Sequence, residues 1–195
     1  MKFQKNQITN CQIDELIANS KISMNSLGIL LTYSYVSRLV SLNWYDILVA
    51  IENGFLTHKS AIEHAENELE KNENSPQVVL DLAILSFDTV TFSHSIHPYI
   101  DELASQISDE ERNKTKEKIL YALLNWVFEH REDYVNPLKV VEIIYDDFSF
   151  PKTISSFIGY LPMEEPNLIL PVLNRNRMLR KWKNYLDRQK ELYSK

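Results

Sequence analysis

Two histidines three residues apart, His94 and His97, are the first side chains in this chain whose spacing suggests chemistry, because an H-x-x-H pair can offer two imidazole nitrogens to a metal ion. Pro98 follows His97 and disfavours helical geometry at that histidine, so the two rings need not share a face. Spacing supplies no third ligand, and turn or capping roles account for both rings more simply. His58 and His64 are six apart and so fall on different helix faces, while His130 suits the negative end of a helix.

The carboxylates offer no better site. Asp146 and Asp147 are adjacent and point apart, unlike a pair that shares a proton or a metal. Glu142 and Asp146 are expected together on the outside of one helix, where they can share an exposed cation, although a solvated face is the simpler account. Cys11 lies in a polar segment without an adjacent histidine to activate it. No serine sits in a G-x-S-x-G elbow, and three glycines (Gly28, Gly54, Gly159) leave no glycine-rich phosphate loop. The expectation is a protein without catalytic residues, metal or cofactor. A metal-dependent enzyme around His94 and His97 is the weakest of the alternatives.

Two charged surfaces remain. Glu63, Glu66, Glu70 and Glu73 recur at spacings of three, four and three, a self-repelling stripe whose simpler account is a solvated face but which is the better of the two candidates for docking a basic protein. Glu142 and Asp146 are the second acidic candidates. From Asn174 onward the chain carries eight basic and two acidic residues, leaving 13 basic and 25 acidic over 1–173. An acidic body of net −12 therefore precedes a basic segment of net +6. Arg177, Arg180, Lys181 and Lys183 around Trp182 have the composition that binds phosphates and stacks a base. The simpler account is a closing helix, with Trp182 on its apolar stripe and its cations complementing the acidic body.

The elements that must position these residues read as helices. Ser108 to Glu132 contains an apolar run at 119–128 that is apolar all round, the mark of a helix buried among helices, and Trp126 reads as part of that core. Ser108 with Glu111 reads as a capping box, which places a central helix at about 109–131. Asn43 and Gly54 bracket a helix over Trp44–Glu52. Thr57 or Ser60 starts another, ending near Lys71. Ser75-Pro76, His97-Pro98 and Asn136-Pro137 start helices over about 78–91, 97–107 and 138–147. Pro151 starts a shorter one that ends near Gly159, and three prolines make 161–173 irregular. A last helix over about 174–192 carries Leu179, Trp182, Leu186 and Tyr193. Residues 11–19 read as a short, poorly capped helix. Residues 24–40 admit either helix or strand, and helical surroundings favour helix.

Length and composition agree with this pattern. A chain of 195 residues, 44% hydrophobic and 25% charged, supports one buried core. We expect one all-α domain over 1–195, a multi-helix bundle or stacked helix pairs, with 1–20 loosely ordered and 174–195 closing it. One cysteine, a polar start and no apolar run of about 18 residues point to the cytoplasm.

Several of these stretches together resemble a bacterial family known as domain of unknown function 2247. They are L-N-W-Y-D-I-L and N-G-F-L within Leu42–Leu56, I-L-Y-A-L-L-N-W-V-F-E-H-R-E-D-Y, N-P-L-K-V-V-E-I-I-Y-D-D-F and P-K-T-I-S-S-F-I-G-Y-L-P. The resemblance spans roughly Leu42–Tyr185 and implies an all-helical fold without assigned catalytic residues. Some similar bacterial families lie beside secreted polymorphic toxins and are thought to act as immunity proteins. The resulting expectation is a non-catalytic module that neutralises a basic toxin through an acidic surface. The alternative is a nucleic-acid-associated protein using its basic last helix.

Overall fold

A computed structural model of the chain describes residues 24–72, 74–85, 96–162 and 171–194. The helix expected over 11–19, Cys11, Glu73, His94 and residues 163–170 lie outside them. The described helices are α1 (Tyr33–Leu39), α2 (Trp44–Glu52), α3 (Lys59–Lys71), α4 (Gln77–Ala83), α5 (His97–Ser105), α6 (Asp109–Glu129), α7 (Pro137–Asp147) and α8 (Pro171–Tyr193). Two 3-10 turns, Arg131–Asp133 and Lys152–Phe157, complete them, and no strand occurs among the described residues. The fold is all-α.

The expected central helix is α6. The Ser108 hydroxyl accepts a hydrogen bond from the Glu111 backbone N–H at 3.4 Å, and Asp109, Glu110 and Glu111 occupy the positive first turn. The Glu111 carboxylate returns to the Ser108 hydroxyl at 3.2 Å. Only Thr115 is buried in the first half of α6, whereas every side chain from Ile119 to Leu124 is buried. The helix packs among α2, α7 and α8. Around it, α2 pairs with α5, α3 with α4, and α8 lies along the 152–157 turn. Stacked pairs around a central helix describe the arrangement.

Local signals set most boundaries. Asn43 and Asp46 form a reciprocal capping box at the start of α2, each side chain accepting from the other's backbone N–H at 2.9 Å. At the end of α2, Gly54 adopts φ +72°, and the N–H groups of Gly54 and Phe55 reach Ile51 and Ala50. This is a Schellman closure, in which glycine takes the left-handed position without a Cβ penalty.

Six expectations need correction. Residues 24–40 are not one helix: α1 begins only at Tyr33, capped by Thr32, and Gly28 at φ +63° turns the preceding segment. Ser75 does not cap α4, because its hydroxyl donates to the Asn72 carbonyl and the helix begins after Pro76. Asn136 contributes no side-chain cap to α7, and the turn after Pro151 is 3-10 rather than α. The last helix begins at Pro171, a residue that suits a first turn because it lacks an N–H. Trp126 is half-buried and stacks on His130 at 4.1 Å, since it lies where the buried face of α6 meets solvent. The fully buried tryptophan is Trp182, 0% exposed.

Candidate functional site

The α3 stripe is the first candidate. Glu66 and Glu70 are exposed and one helical turn apart, and among the described residues neither forms an ion pair. Glu63 is half-buried, and its carboxyl is held above the usual range, by burial first and by the charge of Glu66 second, against the opposing Lys59. Glu68, which is not part of the stripe, accepts from the Trp44 indole N–H at 2.7 Å. α3 presents Glu66 and Glu70 to solvent, with Lys59 and Lys71 exposed at its two ends.

The second acidic pair differs from its expected form. Asp146 is exposed, but Glu142 is 8% exposed and does not stand beside it in water. Its carboxylate accepts from Lys139 at 2.5 Å and lies over Gly159, where a Cβ would meet its Oε1 at 2.7 Å. Glycine at 159 therefore admits the buried carboxylate. Tyr160 donates its hydroxyl to Asp146 at 2.7 Å, which, more than burial, pushes the phenol up to about 12. The contact joins the Y-D-D-F and I-G-Y stretches at the C-terminal end of α7.

In the basic helix Trp182 lies buried on the apolar stripe. Trp182 is enclosed by Phe128, with ring centroids at 5.0 Å, and by Phe157 at 6.3 Å, so no face of the indole is left for a base. Arg180 and Lys183 are exposed, while Arg177 and Lys181 are half-buried. Lys183 pairs with Asp187, and an open groove of about 500 Å³ mixes Lys181 and Arg188 with Asp187 and Glu191. The positive field is interrupted by carboxylates on the same helix.

The described histidines are dispersed. The His58 and His97 rings are 6.5 Å apart and His97 lies 3.9 Å from Asp101, but among the described residues no three His, Cys, Asp or Glu side chains are grouped to hold a metal. The family model described as an uncharacterized protein conserved in bacteria (DUF2247) matches residues 33–190, from the first residue of α1 almost to the end of α8. The chain belongs to this family. No curated protein and no solved structure matches it. The DUF2247 match extends beyond the expected Leu42–Tyr185 at both ends, so α1 and most of the basic helix belong to the family unit. Among the described residues no helix is long and apolar enough to cross a membrane.

Two buried polar groups of this DUF2247 chain escape sequence reasoning. Asp46 accepts from Thr115 at 2.6 Å and from Lys118 at 2.5 Å, joining α2 to α6. His64 shares a 3.0 Å hydrogen bond with the Tyr33 hydroxyl and packs edge-on to Trp44 at 4.5 Å. Neither motif had a signal beyond the N-x-x-D start of α2, because the partners are distant in sequence. Burial, with a smaller contribution from Lys71, pulls the His64 imidazole down to about 4.

The sign of the resulting pH dependence is fixed. The unfolded chain takes up a proton at this histidine near pH 6.5 and the folded one only near 4, so stability is complete above 6.5 and falls as the pH drops toward 4. The loss amounts to about 3 kcal/mol, at about 1.4 kcal/mol per unit. Urea unfolding at a series of pH values measures it. His64→Asn, which keeps an amide near the Tyr33 hydroxyl but does not titrate, should flatten that part of the profile. An unchanged slope would assign it to other groups.

Proposed function

We propose that this member of the family is a non-catalytic protein-binding module, an immunity-type inhibitor that blocks a basic toxin in the cytoplasm through its acidic face. The observation that carries the reading is the α3 stripe, where Glu66 and Glu70 stand exposed and unpaired among the described residues. Like charges at that spacing cost a helix a few tenths of a kcal/mol, a cost that a basic partner reverses on binding. Supporting it, the buried ionisable groups Asp46, Lys118 and His64 are engaged with neighbouring side chains in the core. Charge complementarity of this kind speeds encounter and excludes like-charged competitors.

The test is affinity capture of the tagged full chain from its own cells, with and without nuclease. A stoichiometric, nuclease-resistant basic protein whose toxicity the chain suppresses is the expected result. Nuclease-sensitive capture alone would overturn it in favour of α8 and nucleic acid. With the partner in hand, the Glu66→Lys/Glu70→Lys double variant should slow association about tenfold at low salt and flatten its salt dependence. Stopped-flow rates equal to those of the parent would remove the stripe from the interface.

A further inference from the structure

The same backbone closure occurs twice in this chain, and the two copies use their phenylalanine differently. α2 ends in Asn53-Gly54-Phe55, and Phe55, 1% exposed, packs toward Phe148 in the core with ring centroids at 6.0 Å. α7 ends in Phe148-Ser149-Phe150, where the N–H groups of Ser149 and Phe150 reach Asp146 and Tyr145 in the same pattern. Here no glycine takes the left-handed position. Ser149 and Phe150 both do, at φ 61° and 62°, and Phe150 is 60% exposed. A bulky residue in that conformation is strained, and a ring so exposed returns little to the core beyond its contact with Tyr145 at 5.5 Å.

A second exposed ring shares that neighbour. Tyr160 is 51% exposed, its ring 6.2 Å from Tyr145. Its hydroxyl occupies one oxygen of Asp146 and leaves Oδ2 without a protein partner among the described residues. Asp147 is already engaged by the Ser26 backbone N–H and hydroxyl, and Lys139 by Glu142. Lys139 is the one cation set against Glu142, Asp146 and Asp147 on this part of α7, so the helix end carries excess negative charge. Elsewhere the chain seats its own guanidinium groups on rings: Arg38 on Tyr35, Arg112 on Tyr45 and Arg131 on Phe128. Among the described residues none covers Phe150 or Tyr160.

We propose that Phe150, Tyr160 and the open oxygen of Asp146 form a docking site for an arginine side chain on a basic segment of a partner protein. A guanidinium can lie on an exposed ring while donating an N–H to the carboxylate beside it. Exposed aromatic anchors next to a charge are the composition of an interface hot spot. The proposal shares with the protein-binding reading only the class of partner, and it concerns a surface separate from Glu66 and Glu70.

The probe is a short glycine-serine peptide carrying two arginines, titrated into the full chain with labelled aromatic side chains and followed by NMR. The Phe150 and Tyr160 ring signals should shift and saturate at millimolar peptide. A citrulline peptide, equal in shape but uncharged, should bind at least tenfold more weakly. Phe150→Gly, which suits the left-handed backbone, and Asp146→Asn should each weaken the arginine peptide about tenfold. The urea midpoint of Phe150→Gly should equal or exceed that of the parent. Absent ring shifts, equal binding of citrulline, or full binding by Phe150→Gly would each overturn the assignment. Ring shifts that depend on protein concentration before peptide is added would overturn it in favour of a second copy of the chain. A positive titration with an empty affinity capture would fault the proposed toxin role alone.

Discussion

Asp46→Ala is expected to destabilise the fold by about 3–5 kcal/mol, because it removes one partner from a buried ion pair and leaves the other uncompensated. Asp46 is 0% exposed and the Lys118 side chain 13%. Without the carboxylate, the ammonium of Lys118 and the hydroxyl of Thr115 lose their acceptor in the interior, and the Asn43 N–H loses its half of the capping box. The pair itself need not be strongly stabilising. Replacing both ends, as in Asp46→Asn with Lys118→Met, should therefore recover much of the loss. A double-mutant cycle by urea unfolding measures this, and a coupling energy near zero would show that α2 and α6 are not joined by this contact.

Trp182→Ala is the second large effect, at about 3–5 kcal/mol. The indole fills the space between α6 and the 152–157 turn, meeting Phe128 edge-on and Phe157 face-on, and Tyr185 lies against Phe157 with centroids at 5.9 Å. Removing it opens a cavity at the joint by which α8 is attached to the body. Among the described residues the indole N–H has no hydrogen-bond partner. Trp182→Phe therefore loses volume but also removes a buried orphan donor, and should cost clearly less than the alanine change. Trp126→Ala, at the half-buried edge of α6, should cost about 1–2 kcal/mol. Chemical denaturation of the three variants gives the order, and a larger loss at Trp126 than at Trp182 would mean that α8 does not dock through this side chain.

These effects show which features were legible along the chain. Helix positions were, because capping, proline placement and apolar periodicity act within a few residues. Asn43 and Gly54 bracket α2 as expected, Ser108 opens α6, and the run from Ile119 to Leu124 is buried on every side. Local signals failed where two readings competed over one short stretch. Ser75 could cap a helix or close the preceding turn, and it closes the turn. Residues 24–32 carried enough apolar side chains to resemble a helix, but Gly28 and the bonds between Asn25 and the Ile29 backbone turn the segment instead.

The candidate surfaces divide in the same way. A stripe such as Glu63, Glu66 and Glu70 is a property of one helix, so spacing alone determined that these carboxylates share a face. Periodicity cannot say what packs against a face. Only the tertiary structure decided that Glu142 is covered by Gly159 and Lys139 while Asp146, one turn on, stays open. It also decided that Asp46 meets a lysine 72 positions away and that Tyr160 reaches Asp146. Capping and amphipathicity are encoded within about one helical turn, whereas charge pairing and the exposure of an aromatic ring depend on which helices meet.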